Sequence, residues 1–294
     1  MDSSNTRSAF LQHCASNIYL TNFISLPHYS CRFIATKMAL TYIFLFGLIV
    51  FGDAAFVDTL GKCSLKDEEC TKSLINNALN EISSTGIPEL DIPPVDPIAL
   101  KNVSVTVLGL VDITLLEGQA KGVKTCKFSS LKIDLEKEIG AYEFTCDIDI
   151  EGKYKVFSES PLIKNLLGGT TVHGEGNGKV QLEKLQINMK FPVYAQKRDD
   201  GEIYMKCDYS KIKYDYQILG KTKFYADNLF LGEQEASKLV TTFLNENWKF
   251  VMDTFGRSFF DKAMDIFYSY TSKFFGTVPA KHYLTDDFTS IAKP

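Results

Sequence analysis

The chain has 294 residues, 45% of them hydrophobic and 23% charged, a composition that excludes wholesale disorder and fits one large domain or two small ones. Its 32 basic and 36 acidic residues leave a formal charge of −4, so nothing electrostatic draws the whole chain to nucleic acid or to an anionic membrane. Phe and Tyr are abundant, at 22 and 14, whereas Trp occurs once and His four times; a histidine-rich metal centre lacks its material, and the aromatic content suits a shell around something apolar.

The first element in chain order is the uncharged run ALTYIFLFGLIVF at residues 39–51, preceded by Lys37 and Met38 and followed by Gly52, Asp53, Ala54 and Ala55. A basic start, a short apolar stretch and small residues at its end describe a secretory signal peptide. A spanning helix needs roughly 20 apolar residues, and Asp53 interrupts this run too early; retention as an anchor is the alternative. Residues 1–37 read as an upstream extension outside the mature protein, 38–54 as the signal peptide, and 55–294 as the mature domain, with no stable membrane insertion once the signal is removed.

Secretion makes disulfides the first reading of the remaining cysteines, Cys63, Cys70, Cys126, Cys146 and Cys207. Cys63 and Cys70 enclose only SLKDEE, which suits a local disulfide stapling the N-terminus. The other three are an odd set, so at least one is a free thiol or pairs between molecules. Cys146 alternates with Phe144 and Ile148 and reads as a buried, inert thiol. The only acceptor sequon is Asn102-Val103-Ser104, at the edge of a strand pattern, which makes Asn102 a glycosylation candidate.

Ser64 with Asp67 forms a capping-box pattern ahead of Leu74, Ile75, Ala78, Leu79 and Ile82, and Gly86 supplies a stop, so a short amphipathic helix is expected there. The stretch GIPELDIPPVDP forbids helix and favours an extended strap. From Val103 to about Ala226 the period switches to two. Phe144, Cys146, Ile148, Ile150 and Tyr154 share a dry face, while Glu143, Asp147, Asp149, Glu151 and Lys153 share a wet one, as in a half-buried antiparallel strand. Further strands are expected at Val103–Leu116, Cys126–Leu135, Thr170–Leu182, Leu185–Tyr194, Ile203–Tyr209 and Ile212–Ile218. Turns are expected at Glu138-Ile139-Gly140, Gly168-Gly169 and Arg198-Asp199-Asp200-Gly201, the last a hairpin signal. Short consecutive connections predict one meandering sheet.

After Phe230 apolar residues recur every three or four positions from Ala236 through Trp248, Phe255 and Phe259 to Phe274. A single helix of that span would be about 60 Å long if straight, with Gly256 the expected bend. So much aromatic surface needs a partner along its length, and only the dry face of the sheet can supply it; the sheet must curl around the helix.

The order CSLKDEEC, GIPELDIPPVDPI, EGKY, HGEGNGKVQLEKL and NLFLGEQEASKLVTTFLNENW, ending near VPAKHYL, resembles the takeout and haemolymph juvenile hormone-binding family of insects over about Lys62 to Leu284. The resemblance implies an α+β fold, a long C-terminal helix wrapped by a highly curved antiparallel β-sheet enclosing an apolar tunnel for terpenoid or other lipid-like ligands. It also implies that Cys63 and Cys70 form the family's N-terminal disulfide. Two departures stand out: many relatives carry a Pro some nine residues after the Trp, where this chain has Arg257, and none of Cys126, Cys146 and Cys207 clearly reproduces the second disulfide of the hormone carriers. The takeout-like branch is therefore favoured.

Gly174-x-Gly176-x-Gly178 lacks the spacing and the following helix of a dinucleotide loop and reads as strand glycines that permit sharp curvature or close approach of the helix. His173 and His282 have no acidic or Cys neighbours at ligand spacing and read as structural or surface residues. No G-x-S-x-G, H-E-x-x-H or C-x-x-C occurs, so a non-enzymatic protein without cofactor or metal is expected. The expected function is that of a secreted, monomeric carrier of a small hydrophobic ligand, lined by Phe144, Ile148, Ile150 and Tyr154 of the sheet, facing Phe255 and Phe259 of the helix, with polar specificity from Tyr154, Tyr214 or Tyr216. The alternative is a secreted protein whose filled core leaves it to act through surface contacts with a receptor or membrane.

Overall fold

The computed structural model describes residues 56–166 and 168–294. The upstream extension, the signal peptide and the cleavage point expected from the sequence lie outside them.

A one-turn helix, α1 (Phe56–Thr59), precedes α2 (Glu68–Thr85). The cap of α2 is Asp67, whose carboxylate accepts the Cys70 N–H at 3.0 Å. Ser64, expected as the cap, instead donates its hydroxyl to Asp286 Oδ1 at 2.8 Å, because the stapled loop is pulled toward the C-terminal tail. Gly86 ends the helix at φ 67°, where an added Cβ would sit 2.2 Å from the Ile92 oxygen. The proline-rich stretch is less extended than expected: Pro88–Leu90 form a 3-10 turn, and Ile87 and Ile92 exchange backbone bonds at 2.8 and 3.1 Å. Burial of Ile87, Ile92 and Val95 anchors this loop. Asp96, also buried, accepts the N–H groups of Gly122 and Lys124 at 2.9–3.2 Å.

The sheet is built on two long strands. The expected strand over Val103–Leu116 is in fact a hairpin, β1 (Ile98–Val107) and β2 (Val111–Lys121), turning at Leu108-Gly109 with φ of 50° and 68°. Next come β3 (Lys127–Asp134) and β4 (Ile139–Ser158). After a short α3 (Pro161–Leu166), β5 runs unbroken over Val172–Lys197, merging the two strands expected at Thr170–Leu182 and Leu185–Tyr194. Leu182 pairs Ile148 and Leu185 pairs Cys146, so Glu183 and Lys184 together face Asp147. This bulge, with Lys184 at φ 51°, puts two residues rather than one between two inward leucines and broke the period of two in the sequence. The remaining strands are β6 (Ile203–Cys207), β7 (Lys213–Ile218), β8 (Thr222–Ala226), β9 (Leu229–Leu231) and β10 (Gln234–Glu235). The Arg198–Gly201 turn closes as expected, with the Gly201 N–H donating to the Arg198 oxygen at 2.9 Å.

β4 and β5 pair along almost their whole length; β2 and β3 follow one another along the far edge of β4, and β9, β8, β7 and β6 along the far edge of β5. All pairs are antiparallel, and the sheet curls without closing. It wraps the C-terminal helix, as the sequence required. That helix has a knee: α4 (Ser237–Glu246) and α5 (Trp248–Thr277) meet at Asn247, φ −111° and ψ 23°. The hydrogen-bond ladder continues across it, from the Asn247 N–H to Phe243 and from the Val251 N–H to Asn247, both at 3.0 Å. Gly256, the expected bend, is ordinary helix inside α5.

Candidate functional site

The interface between α5 and the dry face of the sheet is the one place where the expected binding residues could meet. Its centre is filled. Leu182, Leu185, Ile187 and Met189 of β5, with Tyr214 of β7, pack on Met252, Phe260 and Met264 of α5. The buried stripe of α5 thus recurs every four residues through Met252, Gly256, Phe260 and Met264. Phe144, Ile148 and Tyr216 pack against this cluster in a half-buried state. Ile150, between Ala120 and Val180 in the ladder, is half-buried apart from it. Phe255 is half-buried and meets Phe250 edge-on at 6.2 Å. Phe259 is 39% exposed. The structure therefore brings Phe144, Ile148, Tyr214 and Tyr216 together, but with Met252 and Phe260 of the helix rather than with Phe255 and Phe259.

Each expected polar anchor already has a protein partner. Tyr154 packs in a separate cluster with Val156, Leu229 and Ala236. Its hydroxyl donates to the Asp227 oxygen at 2.8 Å, and burial pushes the phenol up to about 12. Tyr216 donates to the Met252 oxygen at 2.8 Å, and its ring lies 4.0 Å from that of Phe260. Gly256 leaves room for that hydroxyl, which would lie 2.7 Å from an added Cβ. Tyr214 donates to Asp261 Oδ1 at 2.5 Å; burial first, then this bond, raises its pKa. Arg257 completes a latch: its guanidinium lies 4.0 Å over the Tyr214 ring, Nη1 donates to the Tyr214 oxygen at 3.1 Å, and Nε pairs with Asp261 at 2.9 Å.

The sequence reading missed a second aromatic group beside this core. Tyr142, on the same parity as Phe144, lies among Phe128, Phe144 and Phe191 at ring separations of 5.2–6.0 Å. Its hydroxyl reaches only the Met189 sulfur, at 2.8 Å, and burial raises its pKa well above the usual phenol value. Tyr209 and Tyr268, with rings 5.7 Å apart, lie nearby together with Cys207. Extending the even-numbered dry face of β4 back by two residues from Phe144 would have found Tyr142; no sequence signal places Tyr209 beside it.

The described residues hold two disulfides. Cys63 and Cys70 are bonded, with Cα atoms 5.7 Å apart. Cys146, expected as a free buried thiol, is bonded to Cys126, Cα–Cα 4.2 Å; the antiparallel pairing of β3 with β4 brings the two together across the ladder. Among the described residues Cys207 is the one free thiol, and burial pushes it up to about 11, away from reactivity. The glycine run admits neither a phosphate nor the helix. An added Cβ at Gly174 would lie 2.6 Å from the Asn228 oxygen, and one at Gly176 would lie 2.1 Å from Asp227 Oδ1, so these glycines admit the link between β8 and β9. His173 stacks on Phe230 at 5.4 Å, its Nε2 2.9 Å from the Gly232 oxygen. Asn102 is exposed in β1 at φ 50°. Among the described residues no three His, Cys, Asp or Glu side chains could hold a metal ion, and no helix is long and apolar enough to cross a membrane.

Two surface hollows, of about 360 and 270 Å³, lie at the knee beside β8 and at the β1–β2–β4 margin. Neither is lined by the residues expected to face a tunnel.

An unclosed antiparallel sheet curled around one long helix, with aromatic side chains between them, defines a helix-wrapping α+β class. Within it, residues 40–285 match the family of haemolymph juvenile hormone binding protein (JHBP), and the chain belongs to that family. The crystal structure of Takeout 1 from Epiphyas postvittana has the same fold, with a TM-score of 0.66 at 24% identity, covering 76% of this chain and 99% of that one. No curated protein matches the sequence.

Proposed function

We propose that the protein is a secreted, monomeric carrier that holds a small hydrophobic ligand, a juvenile hormone-like terpenoid, a fatty acid or another lipid, between the long helix and the sheet. Family membership supports the hydrophobic cargo. The observation that carries the proposal is the aromatic group around Tyr142, where Phe128, Phe144 and Phe191 face inward yet remain half-buried beside a filled core. Apolar surface left in that state stabilises a ligand by about 25 cal/mol per Å² covered. The same reading has the signal peptide removed near Ala54 and a glycan on Asn102.

Native mass spectrometry and lipid extraction of the secreted protein test it directly. A ligand that binds only the folded state stabilises it by RT ln(1 + [L]/Kd), about 2.7 kcal/mol at a hundredfold excess over Kd, so sesquiterpenoid esters or fatty acids should raise the melting temperature. The filled centre formed by Leu185, Ile187, Met252 and Phe260 favours a second reading, a protein without exchangeable cargo that acts through its surface. No extractable lipid together with no thermal shift would select that reading.

A further inference from the structure

The hollow at the knee is a site of different chemistry from the apolar interface. Its walls are Lys221, Thr222, Lys223 and Tyr225 on the strand side and Glu246 and Trp248 on the helix side. Asn245 fixes its geometry: its amide accepts the Phe224 N–H at 2.8 Å and donates to the Phe224 oxygen at 2.9 Å, pinning the knee to the free edge of β8. Thr222 is 2% exposed, and its hydroxyl has no hydrogen-bond partner. Among the described residues, Lys221, Lys223 and Glu246 also enter no ion pair, and the Trp248 indole has no acceptor.

A second observation meets the first at Glu246. Leu239, Phe243, Glu246 and Phe250 step by four, three and four residues and so lie along one side of the bent helix. Leu239, Phe243 and Phe250 are 65, 54 and 59% exposed. Phe250 meets Phe255 edge-on, but Leu239 and Phe243 enter no buried cluster, and exposed apolar side chains along one side of a helix mark a contact.

We infer that the knee docks the protein on a bilayer surface by seating a phosphocholine headgroup in the hollow. The charges are arranged as that headgroup is. Lys221 and Lys223 meet the phosphate, and the quaternary ammonium sits against Glu246 and the faces of Trp248 and Tyr225. Leu239, Phe243 and Phe250 then enter the acyl boundary, as apolar faces of interfacial helices do. A purely anionic headgroup would leave Glu246 facing like charge. This docking is independent of whether the interior carries cargo.

Trp248 is the only tryptophan in the chain, and it lines the hollow while packing against the core, so its emission reports this one wall, and free phosphocholine, which cannot fill an apolar interior, separates the hollow from the core. That matters because residues 39–51 could touch a bilayer themselves. Phosphatidylcholine vesicles should shift Trp248 emission to shorter wavelength in a saturable titration, and free phosphocholine should perturb it in the absence of vesicles. The pair Lys221→Gln and Lys223→Gln, and separately Phe243→Ser with Phe250→Ser, should each raise the lipid concentration at half-shift about tenfold. Leu108→Ser, equally exposed at 60% on the β1–β2 turn, should leave it unchanged. The proposal is overturned by an emission unmoved by phosphatidylcholine, by phosphatidylglycerol vesicles acting more strongly at equal lipid, or by variants that keep their melting temperature and titrate like the parent.

Discussion

Two glycines with opposite surroundings show how single residues act here. Gly176 admits the β8–β9 link, with Asp227 Oδ1 2.1 Å and the Asp227 oxygen 2.5 Å from where a Cβ would stand. Gly176→Ala must push that link away, and overpacking of this kind costs about 1–3 kcal/mol; chemical denaturation should show the loss. Gly276, near the end of α5, has nothing within 4 Å of such a Cβ. Gly276→Ala should therefore stabilise by up to about 1 kcal/mol through helix propensity and a less flexible unfolded chain. The cysteines give a second residue-scale expectation. Cys126–Cys146 closes a loop with a sequence separation of 20 and Cys63–Cys70 one of 7. In the chain-entropy model the first contributes about 3 kcal/mol and the second about 2. Replacing both cysteines of each pair by serine should rank the melting temperatures in that order; the opposite order would mean that the hairpin already holds β3 and β4 together without the bond.

At the scale of elements, the free edge of β8 is held by a side chain where a strand would otherwise stand. Asn245 supplies the donor and acceptor that a neighbouring backbone would give to Phe224. Asn245→Ala removes both bonds from a part-buried edge, at about 1–3 kcal/mol, whereas Asn245→Gln keeps the chemistry but not the reach; urea midpoints of the two should fall together, well below that of an Asn247→Ala control. Element type was readable from the sequence wherever a period was sustained: α2 to its glycine stop, the alternation of β4, the Arg198–Gly201 hairpin and the long aromatic helix. Element limits were hidden where two conformations share one pattern. The turn at Leu108-Gly109 carries no polar turn residue ahead of its glycine, so a hairpin read as one strand. The bulge at Glu183-Lys184 did the reverse, splitting one strand in two. The bend of the helix fell at Asn247, whose amide bonds back to the Phe243 oxygen at 2.9 Å, while Gly256 answered a neighbour on the sheet. The candidate site was half legible for the same reason. Parity alone put Phe144, Ile148 and Tyr154 on the dry face, but which helix residues oppose them depends on the rotation of α5, which is set by the fit of Gly256 under Tyr216.

For the whole molecule, buried tyrosines make stability sensitive to alkali. Burial pushes Tyr154 up to about 12 and raises Tyr142, Tyr214 and Tyr283 above the ordinary phenol value. An unfolded tyrosine titrates near 10, so these groups hold their protons more tightly folded than unfolded. Their contribution is complete below about pH 10 and is lost as pH rises through the folded values. Denaturant midpoints should be flat up to that point and then fall. Phenolate absorbance should lag behind a model tyrosine until the fold is lost; full ionisation near pH 10 with native circular dichroism intact would contradict the buried assignment.

The two ends of the domain meet. Cys63 pairs in parallel with Leu284, its N–H donating to the Tyr283 oxygen at 3.2 Å and its oxygen accepting the Thr285 N–H at 3.0 Å, while Asp286 receives the Leu65 N–H at 2.7 Å. During synthesis the first of these partners emerges long before the last. At about 5–20 residues per second, the stapled loop waits on the order of 10–40 s for the tail that completes it. The helix that fills the sheet is also made after all of β1 to β9, so each strand has its inner face bare from its own synthesis until that helix follows. Emergence of residues 284–286 is therefore the event that completes this fold, and a truncation before Leu284 should fail to yield a smaller stable domain.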